Sequence, residues 1–241
     1  MTTQTIKTLE TARFSAANAS RAQSPTVSDS TAKDARFWDK IAAKYAKSKI
    51  GDPAGYERTL SRVVDHLQPT DRVLEVGCGT GTTALKLAPH AKEIVATDIS
   101  PAMVEIARGK AHEQGIDTVH FVAATADDVR FSGEQFDAVL AFNLFHLVTD
   151  IDAALAAIAA SIKPGGLLMS KTPSIGEMNP LIRWVMIPTL SLIGKAPSTV
   201  HCLKFGDMER AFDEAGFDVI LEESHASKGK DTRPFLVARK R

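Results

Sequence analysis

Net charge is the first thing this sequence lacks: its 241 residues carry 29 basic and 29 acidic side chains. A balanced chain has no overall electrostatic claim on nucleic acid or on an anionic membrane surface. Cysteine is scarce as well. The two present, Cys78 and Cys202, form neither a metal-ligand spacing nor a disulfide framework, so no metal is expected and a reducing cytoplasm is the default setting. No apolar run approaches the ~18 residues that a bilayer span needs, and no apolar h-region marks a secretory signal. The basic clusters Lys228-Gly229-Lys230 and Arg239-Lys240-Arg241 have no aromatic residues interleaved to stack bases. They read as a solvated turn and a frayed end, so no nucleic-acid partner is expected.

What is present centres on Val73-Leu74-Glu75-Val76-Gly77-Cys78-Gly79-Thr80-Gly81. It begins as a short buried strand, breaks into three glycines spaced by two, and reopens as a helix from Thr82 to Leu87. A strand that ends in glycines and continues as a helix brings bare backbone close to a ligand. A second apolar run, Glu93 to Thr97, ends in Asp98. An acid at the tip of the second strand is where a doubly wound sheet grips ribose hydroxyls. The spacing is G-x-G-x-G, not the G-x-G-x-x-G of dinucleotide binders.

Further strands are expected at Val119 to Val122, Phe136 to Phe142 and Leu167 to Ser170. Helices are expected after Ser100-Pro101, where serine caps and proline opens the first turn, and from Asp152 to Ile162. Lys163-Pro164-Gly165-Gly166 reads as a hard stop. Strands alternating with helices argue for a parallel sheet, and the length suits one sizeable core. Ahead of this lie a helix from Asp34 to Lys49, with Phe37, Trp38, Ile41 and Tyr45 on its stripe, and a second from Tyr56 to Leu67. Residues 1–33, rich in Ser, Thr and Ala, read as a disordered tail. The tail has transit-peptide composition, against which Glu10 and Asp29 count. The alternation fails between Pro173 and Phe205, where Leu181 to Ile193 is strongly apolar. A break this long reads as a lid or substrate wall, or as a helix pair or dimer contact on the sheet edge. A helix from Gly206 to Ala215 and strands at Phe217 to Glu223 and Pro234 to Ala238 close the chain.

VLEVGCGTG resembles motif I of the class I S-adenosylmethionine (SAM)-dependent methyltransferases, and ATDIS followed by Met103 is similar to that family's second motif. FWDKIAAKYAKSK resembles the N-terminal helix of ubiquinone-biosynthesis-type members. The resemblance covers roughly residues 35–241. It implies a Rossmann-like, doubly wound seven-stranded α/β sheet of order 3-2-1-4-5-7-6 with the last strand antiparallel. Residues 34–241 would form the SAM-dependent methyltransferase domain, with 174–205 as a substrate-lid insertion.

The implied activity is methyl transfer from SAM to a small, hydrophobic acceptor, by a monomer or homodimer. The protein would supply position and a dry cavity, since the cofactor already carries the activated group. Gly77, Cys78, Gly79 and Gly81 would pass the methionine arm, and Glu75 would orient that turn or bond the arm. Asp98 would hold the ribose, and Ile99 and Met103 one face of adenine. Thr125 stands where family members carry an acid against the adenine amino group, with Ala126 after it. The Asn143 backbone would meet the methionine amino group, and Tyr45 would lie near it or only pack its helix. His146 is the candidate general base; its bland reading is a packing or loop-bonding histidine. A nucleotide-binding oxidoreductase and a non-catalytic SAM-binding protein are the alternative readings.

Overall fold

The computed structural model describes residues 29–128, 135–227 and 232–241. Most of the expected tail and the Lys228 cluster lie outside these residues. The first described helix, α1 (Asp29–Ala46), starts five residues before the expected Asp34. α2 (Pro53–His66) is capped by Asp52, whose side chain accepts from Gly55 N at 3.0 Å. Asp52 and Pro53 make the helix start: an N-cap acid followed by a first-turn proline.

The core elements follow in order. They are β1 (Arg72–Val76), α3 (Thr82–Leu87), β2 (Glu93–Asp98), α4 (Pro101–Gln114), β3 (Val119–Ala123), β4 (Phe136–Phe142), α5 (Ile151–Ser161) and β5 (Ile162–Lys171). After β5 come a short π-helical turn (Ile182–Met186), α6 (Ile187–Leu192), α7 (Asp207–Glu214), β6 (Phe217–Glu223) and β7 (Phe235–Lys240). The expected stop at Lys163 to Gly166 falls inside β5. There the ladder with β4 shifts register between Phe136 and Ala138, so the strand absorbs the Pro-Gly-Gly irregularity as a bulge.

The sheet has seven strands in the order β3-β2-β1-β4-β5-β7-β6. β1 to β5 pair in parallel, and β7 runs antiparallel to both β5 and β6. The central strands β1, β2 and β4 are buried along most of their length because both faces are covered, while the edge strand β6 alternates. Val73, Ile94, Leu140, Met169 and Val237 pack on one face. Leu74, Val95, Val139, Leu168 and Leu236 pack on the other, which Phe145, Phe212 and Phe217 complete. Phe212 meets Phe145 edge-on at 5.8 Å and Phe217 at 6.3 Å. These layers leave the C-terminal ends of β1, β2, β4 and β5 facing one side, the crevice where open α/β sheets bind ligands.

Candidate active site

At those strand ends lies a cavity of about 500 Å³, within the usual range for small-molecule sites. Its floor is the turn after β1. Gly77, Gly79 and Gly81 all adopt positive φ, at 75°, 54° and 76°, a conformation that favours glycine. Their surroundings differ. A Cβ on Gly81 would lie 2.7 Å from the Phe121 ring and 2.8 Å from Ala107. Gly81 therefore serves helix–strand packing, and it does not line the cavity. This corrects its expected place at the cofactor. A Cβ on Gly79 would meet only Tyr45, at 3.6 Å, so Gly79 is the position where bare backbone faces the cavity.

The turn is held by its neighbours. Gly77 N and Cys78 N both donate to Thr97 O at 2.8 Å, and Gly81 N donates to Cys78 O at 3.0 Å. Lys110, on α4, donates to Thr80 O and Thr80 Oγ1 at 3.0 and 2.8 Å. Asp98 joins in: its Oδ2 accepts from Gly79 N at 2.8 Å and its Oδ1 from Ser100 N at 2.9 Å. A carboxylate has about four lone-pair sites, so Asp98 can brace the turn and still accept from a diol. Burial pushes its carboxyl up, against the pull of the Ser100 and Gly79 N–H groups.

Glu75 lies beneath the turn, fully buried, and lines the cavity. It accepts a backbone hydrogen bond from Ala84, but burial dominates and pushes its carboxyl up to about 8. Its Oε2 has no hydrogen-bond partner. An orphaned buried carboxyl oxygen beside a cavity is suited to a cationic or N–H-bearing ligand, whose arrival would favour the ionised form. Cys78 stays a neutral thiol, its pKa raised by burial.

The roof comes from α1. Asp39 Oδ1 accepts from Ser100 Oγ at 2.6 Å and from Ala102 N at 3.0 Å, which docks α1 on the start of α4. Trp38 and Tyr45, edge-on at 6.2 Å, then line the cavity with Ile99, Met103, Thr125 and Ala126. Asn143, at φ 52°, follows β4 with its N–H on Lys171 O at 2.8 Å. Among the expected cofactor residues, all but Gly81 line this one cavity.

His146 does not line it. The cavity takes Leu144, Leu147 and Val148 from that loop instead. Burial, with His201 adding, lowers the His146 imidazole to about 4, and its buried Nδ1 has no hydrogen-bond partner. His201 N donates to His146 O at 2.7 Å. The expected base therefore stands outside the cavity lining, half-buried beside His201. The expected lid also fails to reach the cavity: no residue from 174–205 lines it. Leu181, Trp184 and Leu192 are 65, 73 and 88 % exposed. Sequence reasoning passed over Thr59 and Lys171 and read Asp52 as part of a turn and Arg233 as structural; all four line the cavity. The C-terminal tip of β5 was the signal available for Lys171.

Comparison with known proteins matches residues 73–166 to a family described as a methyltransferase domain. The ubiquinone biosynthesis O-methyltransferase of Brucella anthropi is 31% identical over 128 residues, 53% of this chain and 50% of that protein. The uncharacterized methyltransferase YcgJ of Bacillus subtilis is 34% identical over 95 residues, 39% of this chain and 38% of that one. Residues 73–166 are thus similar to a methyltransferase domain, and the seven-stranded sheet around them has the order expected of that fold. The chain spans about half the length of the curated relatives it matches, or less. The domain's fold recurs in solved structures. Magnesium protoporphyrin IX methyltransferase of Synechocystis PCC 6803, with bound SAH, superposes at TM-score 0.68 and 18% identity over 88% of this chain and all of that one. The [4+2]-cyclase SpnF does so at 0.70 and 19%, over 91% of this chain and 99% of that one. A methyltransferase-like fold is therefore shared by a protein named for another reaction, and the reaction must be argued from the site.

Proposed function

We propose that this protein transfers the methyl group of SAM to a small, predominantly apolar acceptor. One observation carries the reading. The glycine turn, the Asp98 carboxylate and the orphaned Glu75 oxygen converge on a single cavity large enough for a cofactor. SAM would supply an activated methyl on a sulfonium. Asp98 would accept from its ribose hydroxyls, Glu75 would face its cationic methionine end, and Ile99 and Met103 would sandwich its adenine. Asp34, Asp52, Asp127 and Asp150 add acids to the lining, against Lys49, Lys171 and Arg233. That imbalance suits a ligand with net positive charge.

Beyond the tip of β4 the walls are Leu60, Phe142, Leu144, Leu147 and Val148. These support an apolar acceptor, a role the segment 181–193 does not fill. Thr125 offers the adenine edge a hydroxyl, a weaker partner than a carboxylate. Calorimetry with SAM and with S-adenosylhomocysteine (SAH) tests the cofactor. Label transfer from methyl-labelled SAM to a panel of apolar hydroxyl compounds tests the reaction. Absence of heat with both ligands overturns the cofactor; heat without transfer favours a non-catalytic SAM-binding protein. The oxidoreductase reading loses its ground in the methyltransferase-domain match and the antiparallel β6–β7 hairpin.

A further inference from the structure

The cavity wall away from the glycine turn holds a chain of polar groups that cofactor binding does not use. Thr59, on α2, and Lys171, at the end of β5, both line the cavity. Lys171 is the register partner of Phe142 at the tip of β4, and its Nζ donates to Thr59 Oγ1 at 3.1 Å. Behind Thr59, the same oxygen lies 3.0 Å from His225 Nδ1, and His225 Nε2 lies 2.9 Å from Glu223 Oε2. Thr59 and His225 are 3 and 4 % exposed.

Glu223 is held ionised. Arg62 reaches both its oxygens, at 2.9 and 2.5 Å, and with His225 keeps the carboxyl well below the usual range. An ionised carboxylate only accepts, so Nε2 carries the proton and Nδ1 turns a lone pair to the Thr59 hydroxyl. Carboxylate, imidazole and hydroxyl in that order make a base chain. The hydroxyl hydrogen has two takers, His225 Nδ1 and Gly55 O at 2.9 Å. When the imidazole is protonated, Nδ1 donates to Thr59 and the hydroxyl turns to Gly55 O, so both states of the ring are hydrogen-bonded.

The surroundings fix the histidine in this pose. Its ring stacks on Phe235 at 4.8 Å, and its carbonyl accepts from Arg58 Nε and Nη2 at 3.2 and 2.7 Å. A Cβ on Gly55 would lie 2.5 Å from that carbonyl, so glycine there lets residue 225 approach α2. Asp52 bonds Ser227 N and Oγ at 2.8 and 2.5 Å. Among the described residues, the charged groups linked to His225 include Glu223, Arg62 through Glu223, Arg58 at its carbonyl and, through Thr59, Lys171.

We propose that this chain removes the proton from a hydroxyl acceptor, with Thr59 as the catalytic residue, His225 and Glu223 as positioning residues behind it, and Lys171 holding the acceptor oxygen. The proposal rests on the methyl-transfer reading. The acceptor O–H proton passes to Thr59 Oγ1 as the hydroxyl's own proton passes to His225 Nδ1. The acceptor oxygen forms its bond to the methyl carbon, and the electron pair of the broken carbon–sulfur bond stays on sulfur, which becomes neutral. The imidazolium, stabilised by Glu223, then returns its proton to water.

The test uses the full chain with methyl-labelled SAM and two phenolic probes, catechol and 3,4-dihydroxybenzoate, from pH 5.5 to 9. Thr59→Val keeps the shape and removes the hydroxyl. It should lower kcat by about 100-fold or more at unchanged SAH affinity, and Thr59→Ser should restore turnover. His225→Gln should abolish the acid limb of the kcat–pH profile. Wild-type rates and profiles in Thr59→Val and His225→Gln would overturn the proposal. A second measurement needs no acceptor: nitrogen-15 NMR of the His225 ring in SAH-loaded protein. It should show the Nε2–H tautomer and an Nδ1 resonance moved by Thr59→Val, which removes its hydrogen-bond donor. An Nδ1–H tautomer, or an Nδ1 resonance indifferent to that change, would overturn the chain. Failure of the methyltransferase reading itself appears separately, as wild-type protein that gives no heat with SAH.

Discussion

Around residues 77–81 the backbone is tied to distant parts of the chain, while along 181–193 the bonds among the described groups are local. Gly77 and Cys78 donate to Thr97, Gly79 to Asp98, and Thr80 accepts from Lys110. Between residues 181 and 193 the bonds are local: Leu181 N to Asn179 Oδ1, Thr189 Oγ1 to Val185 O and Ser191 Oγ to Pro197 O. Long-range anchors appear only at the margins of the excursion. Gly176 N donates to Leu203 O, Ser198 donates to Asp34, and His201 bonds His146 O and Val148 O. A cradle that must hold backbone at positive φ against a ligand needs bonds from outside the turn, here from β2 and α4, to over-determine it. A segment with local bonds and exposed Trp184 and Leu192 sits at the low-stability end of the molecule.

Substitutions can break or sharpen this contrast. The largest effect should come from the core that supports the cradle. Phe212→Ala removes a fully buried ring between Phe145 and Phe217, and should cost about 3–5 kcal/mol in denaturant unfolding with little change in SAH affinity of the folded fraction. Next is Asp98→Ala, which removes both the brace on Gly79 and the diol acceptor. SAH binding by calorimetry should weaken by about 1.5–3 kcal/mol; unaltered affinity would break the ribose assignment.

Glu75 makes a subtler prediction. With its carboxyl at about 8, the free protein holds the proton at pH 7. A cationic methionine end would ionise it, so SAH binding should release a proton, read as a dependence of binding heat on buffer ionisation enthalpy. Glu75→Gln should abolish that dependence. The linkage sign for stability follows from the same shift. The unfolded chain ionises at lower pH than the folded one, so wild-type protein should lose stability relative to Glu75→Gln as pH rises from the ordinary carboxyl range toward 8. The smallest effects belong to the other region. Trp184→Ser and Leu192→Ser, at exposed positions, should change stability by no more than about 0.5 kcal/mol and leave turnover intact. Lost turnover at unchanged SAH affinity would restore the lid. His146→Ala should likewise spare turnover; its loss would return that residue to the chemistry.

While the sheet order came through the family resemblance, the sequence by itself determined the strands of the parallel half, the turn after β1 and the acid at the tip of β2. These are legible because each is written locally, as an apolar run of strand length, glycines at fixed spacing or a cap residue at a helix start. Eleven of the twelve expected cofactor residues line the cavity for the same reason: motif and strand tip fix them together. Only the tertiary structure decided which glycine faces the cavity, because Gly81 differs from Gly79 through Phe121 and Ala107, which approach it from other elements. It also set α1, fastened by Asp39, over the cavity. And it brought Thr59, Lys171, His225 and Glu223 into one chain across separations of more than a hundred residues. Hydrogen bonds between side chains on three different elements leave no periodicity or spacing in the letters. They exist only where packing sets the distances.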